Sequence, residues 1–67
     1  MSNKQRLTPR KREIVLLLSE GLTPKEVADN LGISKRTIDL HTQQLFTDHN
    51  CHSLVKLIRT LEAKELL

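Results

Sequence analysis

The side chains best suited to chemistry in this 67-residue chain lie along one stretch, where Arg36, Asp39, Leu40 and Gln43 recur at intervals of three and four. That spacing puts them on a single face of a helix. A guanidinium donates hydrogen bonds, a carboxylate accepts them, an amide does both and a leucine offers methyl contact, which is the chemistry that base edges in a DNA major groove require. Asp39 would suit a base amine such as cytosine's, and the Gln43 amide could pair in two places with adenine. The same stripe also has a plain reading as a solvated polar face.

Two other groups invite chemistry. Asp48, His49, Asn50, Cys51 and His52 include carboxylate, imidazole and thiolate, all of them zinc ligands. Adjacent Cys51 and His52 point in different directions and no second ligand pair stands at zinc-finger spacing, so the segment reads as a short polar linker with no metal. His41 has the type of a general base. No nucleophile motif accompanies it, and it falls on the side of its helix that carries Ile38 and Leu45, seven residues apart, so it reads as a hydrogen-bonded packing residue. No glycine-rich phosphate loop follows a strand. Neither an enzyme nor a cofactor is expected.

The elements that must position the Arg36 stripe are written in the stretch Thr23 to Leu45. Thr23-Pro24-Lys25-Glu26 offers a hydroxyl N-cap, a proline where the first helical N–H is dispensable, and a glutamate three residues on that can reach back to the cap. Ser34 repeats the cap before the next helix. Leu22 with Val27, and Ile33 with Ile38, are spaced as hydrophobic staples that set each helix's angle of approach. Leu31-Gly32-Ile33 supplies the stop between them, since glycine tolerates the left-handed conformation and its apolar neighbours turn inward. The turn is expected to be tight and buried. Two short helices so joined make a helix-turn-helix.

At this point the residues carry a resemblance. Leu7-Thr8-Pro9-Arg10, Gly21-Leu22-Thr23-Pro24-Lys25-Glu26-Val27-Ala28, Leu31-Gly32-Ile33-Ser34, and Thr37-Ile38 with His41 are similar to the LuxR/FixJ-type (GerE-like) DNA-binding domain of bacterial transcription regulators. The likeness covers nearly the whole chain, and His41 after Thr37-Ile38 separates it from region four of sigma factors. It implies an all-α, four-helix domain over residues 7–67. It further implies base reading by Arg36, Asp39, Leu40 and Gln43 on the third helix, and DNA backbone contacts from Thr23, Lys25, Ser34, Lys35, Thr37 and Gln44. The chain departs from the pattern where many members carry lysine and it has Asp39. Thr42 and Gln44 stand where basic residues or asparagine are frequent, and Asp48-His49-Asn50-Cys51 replaces lysine-leucine-glycine-valine.

Charge agrees with a polyanionic partner only at one end. Of a total of +3, the first twelve residues carry five positive charges and no negative one, which leaves −2 for the rest. Residues 1–6 read as a flexible basic arm that either meets phosphate or a minor groove or simply aids solubility. A chain this short buries only roughly 60% of its unfolded surface, and Phe46 is its sole aromatic among Phe, Tyr and Trp, so a compact bundle cored by Leu, Ile and Val is expected. One cysteine forms no internal disulfide, and no segment is long and apolar enough to span a bilayer. The chain reads as cytoplasmic.

The first helix is expected from about Pro9 to Glu20, with Ile14, Leu17 and Leu18 as core stripe and Val15 and Leu16 widening it toward a second contact. The second runs from about Pro24 to Leu31 with Val27, Ala28 and Leu31 inward, the third from about Lys35 to Thr47. The fourth begins after Ser53 and buries Leu54, Leu57, Ile58 and Leu61. Val55, Ala63, Leu66 and Leu67 remain over; the resemblance implies a homodimer contact there, and a frayed end is the alternative. Two functions follow. One is a sequence-specific regulator binding double-stranded DNA, either standing alone or cut from a longer chain. The other is a protein-binding module that pairs with another, fuller transcription regulator, motivated by Asp39, Thr42 and Asp48.

Overall fold

The computed structural model describes residues 7–67, so the expected arm at residues 1–6 lies outside the described residues. Helix α1 is Pro9–Ser19, α2 Pro24–Leu31, α3 Lys35–Asp48 and α4 Leu54–Ala63. All four begin with the same chemistry. Thr8, Thr23, Ser34 and Ser53 sit in extended backbone, and the hydroxyl oxygen of each accepts from the backbone N–H three residues on, at 3.1 to 3.2 Å. Each such cap satisfies a helix-terminal donor and stabilises by about 1 kcal/mol.

The four ends are equally uniform. Gly21, Gly32, Asn50 and Glu65 take positive φ of 99°, 69°, 54° and 58°. In each case the next N–H reaches back to a carbonyl in the last turn: Leu22 to Leu17, Ile33 to Ala28, Cys51 to Phe46 and Leu66 to Leu61, at 2.9 to 3.3 Å. This closure delivers an apolar side chain to the core just past every helix.

Two clusters make up that core. Ile14, Leu18, Val27, Ala28 and Ile38 join α1, α2 and α3, with Leu22, Leu31 and Ile33 packed on their edge. Val15, Leu45, Cys51, Leu57 and Leu61 join α1, α3 and α4, with Leu7, Phe46, Ile58, Leu66 and Leu67 around them. Both include Leu54 at their margin. Among the described residues seven aliphatic side chains are fully buried, at roughly 1.5–3 kcal/mol each the main favourable contribution.

Several expectations are corrected. In α1 it is Val15 that is fully buried and Leu17 only half-buried, because α1 lies between the two clusters and Val15 faces the second; Leu16 remains 40% exposed. Helix α1 ends at Ser19 and α3 continues to Asp48. Gly32 is exposed, and only its neighbours Leu31 and Ile33 turn partly inward, since the left-handed residue itself projects to solvent. The segment after α3 is no polar linker: His49 and Cys51 are both buried. They continue the inward register of Leu45, which lies four residues before His49.

Candidate nucleic-acid interface

Helix α3 divides cleanly along its length. Ile38 and Leu45 are buried and His41 and Thr42 half-buried, with the Thr42 hydroxyl donating to the Ile38 carbonyl at 2.8 Å. Arg36, Asp39, Leu40 and Gln43 are all exposed, Leu40 by 55%. The spacing therefore brings the four together on one open face, as its period requires. The Ser34 hydroxyl fixes the start of that face by capping Thr37 and by pairing with the Thr37 hydroxyl at 2.9 Å.

One contact on this face lay unread in the sequence. The Lys35 ammonium donates to the Asp39 carboxylate at 2.8 Å, across one helical turn, with both side chains half or more exposed. The spacing of four was the available signal. An exposed pair of this kind contributes only a few tenths of a kcal/mol, so phosphate can compete for Lys35. Its electrostatic effect is larger than its stability: the negative charge on the stripe is matched by the nearest cation, leaving Arg36 beside them.

Helix α2 supports α3 from its own capped start. The Thr23 N–H donates to the Glu26 carboxylate at 2.8 Å while the Thr23 hydroxyl accepts from the Glu26 N–H, a reciprocal pair. The bond from the Thr23 backbone, followed by its hydroxyl, holds the Glu26 carboxyl below the usual carboxylate range. Thr23, Lys25, Ser34, Lys35 and Gln44 are exposed and Thr37 half-buried, but the hydroxyls of Thr23, Ser34 and Thr37 already serve the caps. What Thr23, Lys25, Ser34, Lys35 and Thr37 could offer a phosphate is the amide-rich helix start as much as the hydroxyls, whereas Gln44, well inside α3, has only its side chain to offer.

On α4, Val55 is 63% exposed, and it lines a shallow groove with Ser53, Lys56, Arg59, Thr60 and Ala63. Leu66 and Leu67 are half-buried against the second cluster of their own chain, so less of their surface is open than that of Val55. Around the zinc-like segment, Cys51 is buried and His52 exposed, and among the described residues no three His, Cys, Asp or Glu side chains are grouped to hold a metal. The residues missed by sequence reasoning are here too. His49 and Cys51 looked polar and reactive by type, yet the former's spacing from Leu45 marked it as inward.

Residues 5–61 match the family described as bacterial regulatory proteins, luxR family. The tetrathionate response regulatory protein TtrR of Salmonella typhimurium is 34% identical over 58 residues, covering 87% of this chain and 28% of that protein. The response regulatory protein YgeK of Escherichia coli is 36% identical over 59 residues, covering 88% of this chain and 40% of its own length. The Fimbriae Z protein of Salmonella typhimurium is 38% identical over 58 residues, covering 84% of this chain and 28% of that protein. The chain thus spans less than half the length of each of these relatives.

Proposed function

The chain belongs to the luxR family of bacterial regulatory proteins, a family of DNA-binding regulators, and we propose that it reads double-stranded DNA with α3 laid in the major groove. Arg36, Asp39, Leu40 and Gln43 face the base edges, and Thr23, Lys25, Ser34, Lys35, Thr37 and Gln44 meet the sugar-phosphate backbone. The observation that carries this reading is the split of α3 into a buried aliphatic side and an exposed stripe of donor, acceptor and methyl groups. Such a helix is held rigidly by its inner face and offers its outer face whole.

In this reading the domain acts in the cytoplasm, performs no catalysis and binds as a homodimer through α4, with Val55 and Ala63 at the contact and Leu66 and Leu67 beside it. Among the described residues no helix is long and apolar enough to cross a membrane. Lys25, Lys35 and Arg36 would displace condensed counterions, so affinity for a selected genomic fragment should fall linearly on a logarithmic salt scale. Fluorescence anisotropy at low and moderate salt checks this. No binding to any genomic fragment at low salt would overturn it and favour pairing with another transcription regulator, a reading that the carboxylate of Asp39 on the stripe supports.

A further inference from the structure

His49 is 7% exposed at the end of α3, beside the cluster that holds α4. Its Nδ1 lies 3.2 Å from the ammonium of Lys64, the residue that caps the end of α4. An ammonium only donates, so Nδ1 must be the acceptor and the ring proton must sit on Nε2. Nε2 is buried and finds no partner among the described residues. The imidazole is thus held neutral in one tautomer. A second proton on Nδ1 would point at Lys64 and set two cations face to face, with no acceptor at either ring nitrogen.

The groups facing His49 come from each neighbouring element: Lys64 from the end of α4, Asp48 from α3 and Lys11 from α1. Burial is the largest influence holding its pKa below the ordinary value, Lys64 the next; Asp48 opposes both and Lys11 adds to them. The Cys51 thiol ties the same corner together, donating to the His49 carbonyl at 3.3 Å and lying 3.6 Å from the Thr60 hydroxyl of α4. None of these residues belongs to the cluster that unites α1, α2 and α3.

We propose that His49 and Lys64 form an acid-sensitive clasp that keeps α4 docked on α3, and that protonation of His49 releases α4 while α1, α2 and α3 keep their packing. The sign follows from linkage. Because the folded pKa is lowered, the clasp's contribution is complete above the unfolded value of about 6.5 and is lost as pH falls through the folded value. Domain surfaces that depend on α4 would then weaken with acid while the α3 stripe keeps its form.

The test is made on the intact chain by NMR, following the histidine rings and amide hydrogen exchange from about pH 7.5 to 5. The His49 ring should titrate below the ordinary histidine value of about 6.5, and the protection of α4 amides, relative to their intrinsic exchange rates, should fall over that range before that of α2. His49→Leu should abolish the acid-driven exchange of α4. Lys64→Met, at an exposed residue, should raise the His49 titration midpoint and delay nothing in α2; it keeps the proposal testable if His49→Leu fails to fold. The clasp is overturned if His49 titrates at or above the ordinary histidine value of about 6.5, if Lys64→Met leaves its midpoint unchanged, or if α2 and α4 open together in acid.

Discussion

In the proposed complex with DNA, each side chain on the open face of α3 has a separable task. The Gln43 amide is exposed and can form two hydrogen bonds with adenine, so Gln43→Ala should cost about 1–3 kcal/mol on the preferred site and relax the preference at one base, with little change on random DNA. Lys25, exposed at the start of α2, should act through phosphate: Lys25→Ala weakens all sequences alike and lowers the salt slope by about 1. Paired titrations on specific and random duplexes separate the two effects. Asp39 is different because its carboxylate holds Lys35 at 2.8 Å. Asp39→Asn sets that cation loose while putting a neutral amide of the same shape in the carboxylate's place, so specific and random binding should strengthen together and the salt slope should steepen. Loss of specific binding alone would instead give Asp39 a base contact. The stripe was legible in the sequence because helical period alone decides which of these residues share a face. His49 was not, because its polarity argued for solvent while its register after Leu45 argued for the core, and register won.

At the level of the helix, starts were easier to read than stops. A serine or threonine before an apolar period marks a cap by its own chemistry, and all four hydroxyl caps stand where their residue types place them. Two of the stops are glycines, for which positive φ is no strain; the other two, Asn50 and Glu65, carry a Cβ into the same region and gave no sign in the sequence. That is why α3 runs past the expected Thr47, and why Leu66 was left over when it is in fact drawn back by its N–H bond to Leu61 at 2.9 Å. The strain is unequal. Asparagine tolerates the left-handed region through local hydrogen bonding, whereas glutamate has no such relief. Glu65→Gly should therefore stabilise the chain by about 0.5–1 kcal/mol, the relieved strain exceeding the extra chain entropy of glycine, and Asn50→Gly should do less. Urea melts of the two variants beside the parent check the order; a Glu65→Gly variant less stable than the parent would show that its side chain contributes more than its backbone costs.

Across the whole molecule the two clusters divide labour. One sets the angle between α2 and α3, and the other attaches α4, whose exposed side is free of that packing duty at Val55. Pairing of α4 with its copy about a twofold axis would place two α3 helices about one DNA turn, ~34 Å, apart and call for near-palindromic sites. Leu66 and Leu67 are poor probes of such pairing, because a charge there would disturb the chain's own second cluster before any contact between copies. Val55 is 63% exposed, so a carboxylate at that position stays hydrated in the single chain and is unfavourable only when a second apolar surface covers it. Val55→Glu should thus leave the thermal melt within a degree or two while lowering self-association in sedimentation, and should weaken binding to a two-half-site duplex more than to a single half-site. If the variant sediments at the parent's mass and binds both duplexes as the parent does, α4 is not the surface on which two copies meet.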